Sequence, residues 1–392
     1  MQYPRLLHWF QPLKWSLAAA LVLGLAACSN NDDDDNNVSN PPAASTQQFN
    51  AALSGEQEVP PTTSGALATG TLSFDPSTRS IIGNIVLDGM TASAAHIHQA
   101  DVGVSGPIIV ALTETTPGTW SVPAGTALTV AQASALAAGG LYFNAHTTAN
   151  PNGEIRGQIG RDVFAAQLSS AQEVPANASS ATGTGALSLD PASKKFSARI
   201  TVTGIAATAA HIHAGTPGIS GPILFPLTET APGSGIWVSA ADATLSDAQL
   251  ALLRSGGLYF NAHSAALSGG EIRGQIGRNV RFARLSATEE VPPTSSSASG
   301  TGTLVVDPAT RAASGSITVS GITATAAHIH LAATGGNGPI IVPLTNAGGG
   351  VFSVPAGTVL TAVQLLAYKQ GNLYYNAHSV QFPTGEIRGQ IR

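Results

Sequence analysis

The chain has 392 residues, more than one domain of ordinary size holds, and only 10% of them are charged while glycine (43) and proline (24) are abundant. Its formal net charge of −5, with no basic stripe, argues against nucleic acid as a partner. Small turn-rich β modules account for such a composition, whereas a disordered low-complexity chain would lack the β-branched and aromatic strand runs that recur here.

At the N-terminus Arg5 and Lys14 precede an apolar run at 17–27 (LAAALVLGLAA) that ends on Cys28. A basic flank and an apolar core of this length predict a secretory signal, too short to span a membrane. Leu25-Ala26-Ala27-Cys28 resembles the lipobox of bacterial lipoproteins, which implies that residues 1–28 are a leader and that Cys28 carries a lipid anchor. Ser29, where Asp would signal retention, implies by the same resemblance a cell-envelope protein held at the outer membrane of a Gram-negative cell. Cys28 is the one cysteine, so no disulfide forms within the mature chain. Residues 29–48 form a polar tether with four consecutive aspartates, and are expected to be disordered.

From Phe49 the sequence repeats itself three times. The copies open on FNAALSGEQEVPP (49–61), FAAQLSSAQEVPA (164–176) and FARLSATEEVPP (282–293). Each has AAHIH near its centre (94–98, 209–213, 326–330) and GEIRGQI at its end (153–159, 270–276, 385–391). Three modules follow, 49–160, 164–277 and 282–392, expected as beads on short joints that each fold alone. Within a copy the period is two: in the third, Ile317 and Val319 point inward while Ser316, Thr318 and Ser320 point outward. Seven to nine strands per copy with a turn signal every 8–12 residues predict an all-β antiparallel sandwich or barrel of Greek-key type. One short helix precedes the last strands of each copy, at 129–138, 246–254 and 361–370. In the second, Ser246 is the N-cap and Gly256-Gly257 the stop.

Nine of the ten histidines fall into three equivalent sets: His96, His98 and His146; His211, His213 and His263; His328, His330 and His378. Residues i and i+2 of a strand share a face, with Cα atoms about 6.6 Å apart. His96 and His98 therefore project together while Ile97 enters the core, and in LYFNAH the outward set is Tyr142, Asn144 and His146. In EIRGQI it is Glu154, Arg156 and Gln158. If these strands are neighbours, three imidazoles converge on one polar outer face and offer a three-nitrogen site for Cu or Zn. Glu154 would be a fourth ligand or would hold a histidine N–H. Uptake would fall as pH drops through about 6.5, where an unperturbed imidazole protonates.

The same residues also fit a hydrogen-bonded polar face without metal, comprising Asn144, Glu154 and Arg156 and their counterparts Asn261, Glu271, Arg273, Asn376, Glu386 and Arg388. Glu154 and Arg156 would then form a surface pair worth under about 1 kcal/mol. Such a face would serve a partner in the envelope or outside the cell, with Tyr142 and Arg156 exposed. The Glu-Val-Pro segments (Glu58, Glu173, Glu290) read as strand-to-turn junctions. With no nucleophile motif and no phosphate-cradling loop, the expectation is a non-catalytic binding protein.

At the opening L-x-x-x-x-E-V-P, the AAHIH and GPI strands, LYFNAH and GEIRGQI, the chain resembles the CHRD domain family, the module first described in chordin. That resemblance covers 49–392 and implies a β-rich extracellular module with a role in binding. Chordin's cysteine-rich modules are absent, so antagonism of growth factors is not implied. A fainter likeness to copper–zinc superoxide dismutase rests on the His-x-His strand; the zinc loop, bridging histidine and disulfide are missing, so only copper as the ion is suggested.

Overall fold

The structure, a computed structural model, describes residues 45–392, so the leader, Cys28 and most of the tether lie outside it. The first copy runs β1 (Gln47–Ser54), β2 (Leu67–Phe74), β3 (Ile81–Asp88), β4 (Ala94–Gln99), β5 (Ile108–Ala111), β6 (Thr113–Thr116), β7 (Thr119–Ser121), α1 (Val130–Ala138), β8 (Leu141–His146) and β9 (Ile155–Gln158). The first strand begins inside the segment expected to be tether: Gln47 and Gln48 pair with Phe74 and Ser73. All strands join one antiparallel sheet in the order β5-β4-β8-β9-β1-β2-β3-β7-β6.

In the second copy the counterpart of β5 and β6 is one strand, Ile223–Glu229, which pairs on both sides and closes an eight-stranded barrel. The first copy interrupts that strand at Leu112, yet the Leu112 N–H still reaches the Ala95 carbonyl at 2.9 Å, so the sheet nearly closes on itself. Leu344 does the same with Ala327 in the third copy, at 3.0 Å. Three antiparallel barrel-like modules, each with one short helix, are therefore present as expected.

Strict alternation fills each barrel. Ile85, Ile97, Phe143 and Ile155 are fully buried in the first copy, each contributing about 1.5–3 kcal/mol by leaving water. Gly70 sits in mid-strand because a Cβ there would stand 2.8 Å from the Phe143 ring. Each copy builds its core from its own residues alone. The helices start on capping boxes, Thr129 with Gln132, Ser246 with Gln249 and Thr361 with Gln364. The first two end at left-handed Gly139 and Gly256, with φ of 78° and 75°.

Separate cores do not make separate beads, because the copies are packed together. Arg161, in the first joint, donates to the Ala137 carbonyl (3.3 Å) at the end of α1 and pairs with Asp190 of the second copy at 3.1 Å. Arg278 repeats this, donating to the Arg254 carbonyl (3.0 Å) and pairing with Asp307 at 2.9 Å. The third copy meets the first through Lys369 and Glu56, 2.7 Å apart with side chains only 8% and 4% exposed. Asn279 also donates to Glu56 (3.1 Å), and Lys369 to the Ser64 carbonyl. Lys369→Met strands that buried carboxylate with Asn279 as its remaining donor, an expected loss of about 1–3 kcal/mol. Replacing Glu56 by Leu in the same chain should restore most of it, as urea unfolding of both variants will read.

Candidate metal centre

Strands β4, β8 and β9 are consecutive in the sheet, so the arrangement that the histidine pattern required is met. His96, Asn144 and Arg156 lie side by side across them; His98 stands opposite Tyr142 and Gln158, and His146 opposite Ala94. The imidazoles converge, with ring centroids 4.8 Å apart for His96–His146, 5.6 Å for His96–His98 and 5.8 Å for His98–His146. In every copy one nitrogen of each ring lies within 4.8 Å of the other two: His96, His98 and His146; His211, His213 and His263; His328, His330 and His378.

Backbone carbonyls set the tautomers, because a carbonyl only accepts. His98 Nδ1 donates to Gly106 O at 2.9 Å and His146 Nδ1 to Pro151 O at 3.1 Å, which leaves both Nε2 atoms as lone pairs. His146 Nε2 faces His96 Nδ1 at 3.0 Å, while His98 Nε2 is buried with no partner. The second copy uses Gly221 and Ser268, the third Gly338 and Pro383, and His213 Nε2 and His330 Nε2 are orphaned likewise. Burial pushes all nine imidazoles below their ordinary pKa. His96, also repelled by His146 and His98, falls to about 4. The rings thus keep their neutral form to lower pH than a free imidazole, so the pH limit expected from an unperturbed imidazole moves down.

The polar face is not open to solvent. Tyr142 and Arg156 are each 2% exposed and Asn144 3%, because the loop at 100–107 folds over them. Strand alternation says which side of the sheet a residue takes, not what lies above it. Arg156 holds that loop, donating to Val104 O (2.8 Å) and Asp101 O (2.9 Å), and Gln158 adds Ala100 O and Gly139 O, both at 2.7 Å. Tyr142 donates no contact outward; its hydroxyl accepts from Gly106 N–H (3.0 Å), its ring stacks on His98, and the Arg156 guanidinium lies 3.5 Å from its centre. Arg273 and Arg388 are buried in the same way over Tyr259 and Tyr374.

Glu154 is neither a ligand nor a partner of Arg156 or of a histidine. It lies just before β9 and accepts from Thr147 (2.6 Å), Ser64 (2.7 Å) and Asn150 (3.3 Å). Burial alone would raise its pKa, but these donors outweigh it and hold the carboxyl below the usual range. Glu271 is bound by Ser179 and Ser264, and Glu386 by Ser296. Among the described residues no carboxylate joins any histidine triad.

The Glu-Val-Pro acids do more than end a strand. Glu58 follows a 3-10 turn at Gly55–Gln57 in extended backbone, as a junction should, but its carboxyl is buried beside Asn144 and Arg156. Burial pushes it up to about 8 against the pull of Arg156, and pushes Glu173 and Glu290 to about 7 and about 6. One oxygen of Glu58 and the Asn144 oxygen lack any donor, as do their counterparts on Glu173 and Asn261, and on Glu290 and Asn376. A proton on the carboxyl is the donor they lack. Gly153 completes the packing: at φ 129° its Cβ would stand 2.7 Å from both Glu58 and Asn144. The recurrence of E-V-P and of the first glycine of GEIRGQI was the available signal.

The family model of the CHRD domain matches residues 49–159, 164–276 and 281–391. No curated protein sequence matches the chain.

Proposed function

The chain belongs to the CHRD domain family, in three tandem copies, and from that premise we propose that each copy is a metal-binding module that holds one copper or zinc ion. The observation that carries this is the Nε2 of His98, His213 and His330: a buried lone pair without a partner, set among neutral imidazoles, three times over. Leaving a buried acceptor unsatisfied costs about 1–3 kcal/mol, and an ion removes that cost. All-imidazole donors suit copper and zinc and are wrong for calcium or magnesium, which take oxygen. Bonds of about 2.0–2.1 Å place three nitrogens roughly 3.3 Å apart, and His96 and His146 stand at 3.0 Å already. The fixed carbonyls of Gly106 and Pro151 play the orienting part that a carboxylate plays in other centres. The rival reading, a polar face that docks a partner, loses support from the burial of Tyr142 and Arg156. Neither reading calls for catalysis.

Stripped by a chelator, the full chain should take up three ions of Cu(II) or Zn(II), one per copy. His211→Ala with His213→Ala should remove one and leave two. Melting temperature should rise on loading, because the ion binds only the folded state. Since burial favours the neutral imidazoles, uptake should persist to a pH lower than 6.5 before it fails. Calorimetry that finds no binding tighter than roughly millimolar overturns the proposal.

The same proposal puts the modules on the cell envelope through a lipid on Cys28, supported by the lipobox-like LAAC and the basic, apolar leader before it. No helix of the described residues is long and apolar enough to cross a membrane. Cys28→Ser should move the protein from the membrane fraction to the soluble one; unchanged retention would count against the anchor.

A further inference from the structure

We infer that the three-histidine centres are built for monovalent copper in preference to divalent copper or zinc, an inference that rests on reading the triads as metal ligands. Two features of each copy lead there. The first is coordination number. The described residues bring three nitrogens together and no fourth donor, and the nearest candidates are committed elsewhere: Glu154 to Ser64, Thr147 and Asn150, and Tyr142 to Gly106. Cu(II) seeks four tetragonal ligands and zinc four tetrahedral ones. Cu(I), with a filled d shell, is content with three in a plane. The loop at 100–107 fixes His98 through the Gly106 carbonyl and offers no fourth ligand of its own.

The second feature is charge. All three ligands are imidazoles, and among the described residues no carboxylate joins them to balance an added ion. A cation lies one ring away. His98 stacks on Tyr142 at 5.0 Å and 14°, and the Arg156 guanidinium lies over that same ring at 3.5 Å. The arrangement recurs as His213, Tyr259 and Arg273 (5.0 Å and 4.4 Å) and as His330, Tyr374 and Arg388 (4.8 Å and 3.5 Å). Through that shared ring Arg156 opposes positive charge on whatever His98 binds. A second positive charge on the ion meets that opposition in a buried setting, where it is poorly screened. The guanidinium acts here as a positioning and tuning group, not as a ligand.

The test uses the full chain at pH 6, loaded with Cu(I) under ascorbate or with Cu(II) or Zn(II) in air. Affinity is read by competition with a chromophoric cuprous chelator and with a cupric one, and the midpoint potential by redox titration. Cu(I) is expected to bind at least a hundredfold more tightly than Cu(II), which raises the midpoint by roughly 120 mV over the free couple, at about 59 mV per tenfold. Zn(II) should not displace Cu(I). Arg156→Gln, Arg273→Gln and Arg388→Gln together should lower the midpoint, and Lys at the same three positions should restore it, a pattern that loss of packing alone would not give. If the glutamine variant does not fold, the ratio of affinities in the unaltered chain decides alone. Equal or greater affinity for Cu(II) or Zn(II), or a folded glutamine variant with an unchanged potential, overturns the inference and leaves the metal-module reading standing. Failure to bind any of the three ions overturns both.

Discussion

Arg156→Ala should destabilise the first module by about 3–5 kcal/mol and weaken its metal centre ten- to a hundredfold. The stability loss comes from what the guanidinium leaves behind. Val104 O and Asp101 O lose their donors, and removal of a side chain that is 2% exposed leaves a cavity over the Tyr142 ring. The affinity loss comes by another route. Gly106 O, which fixes the tautomer of His98, belongs to the loop that Arg156 and Gln158 hold down. An orienting group that drifts typically costs this much in metal affinity. Differential scanning calorimetry and a Cu(I) titration of the single variant check both numbers, with the second and third centres as internal controls. A surface arginine of the kind expected from strand alternation would leave both measurements nearly unchanged.

Acid should unfold the metal-free protein through its histidines, and mild alkali should weaken it through three buried acids. The nine imidazoles have folded pKa values below the ordinary 6.5, His96 at about 4. Between those limits the unfolded chain binds more protons than the folded one. Their contribution is therefore present above pH 6.5 and lost as pH falls below it, at His96 as far as about 4. Lowering one imidazole pKa tenfold in proton affinity is worth at most about 1.4 kcal/mol, and less at the half-buried His96. Glu58, Glu173 and Glu290 run the other way, raised to about 8, 7 and 6. Their contribution is complete below 4.5 and lost as pH rises through 6–8. The histidines act on the acid side and vanish as a factor above 6.5. Melting temperature should accordingly climb from pH 4 to a maximum near 6.5, then decline gently. Glu58→Gln together with Glu173→Gln and Glu290→Gln should flatten the decline and leave the acid limb in place. A melting curve without an acid limb would contradict the neutral, buried triads.

Much of this architecture was legible because it is local. Period-two alternation correctly sent Ile97, Phe143 and Ile155 to the core and gathered His96, His98 and His146 on one face. Ser246 and Gly256 bounded a helix that depends on nothing beyond its own caps. What escaped was whatever depends on chain returning from elsewhere. Tyr142 and Arg156 alternate outward, yet the loop at 100–107 covers them. Glu58 sits some 86 residues from Asn144 and closes over it from the other end of the module. The packing of the copies escaped for the same reason, since Glu56 and Lys369 belong to different repeats and neither is repeated in the other two.

That last contact sets a limit on valency. In the first two copies the end of the helix is the berth for the joint that follows: Arg161 docks on Ala137 and Arg278 on Arg254. In the third, the helix-end carbonyl of Lys369 takes Arg281 of its own copy, and the Lys369 ammonium meets Glu56 of the first. Head-to-tail contacts either propagate without end or close on themselves, and here the chain closes after three. A further copy could use the end of the third helix only by displacing Arg281 from that carbonyl or by breaking the seam between Lys369 and Glu56.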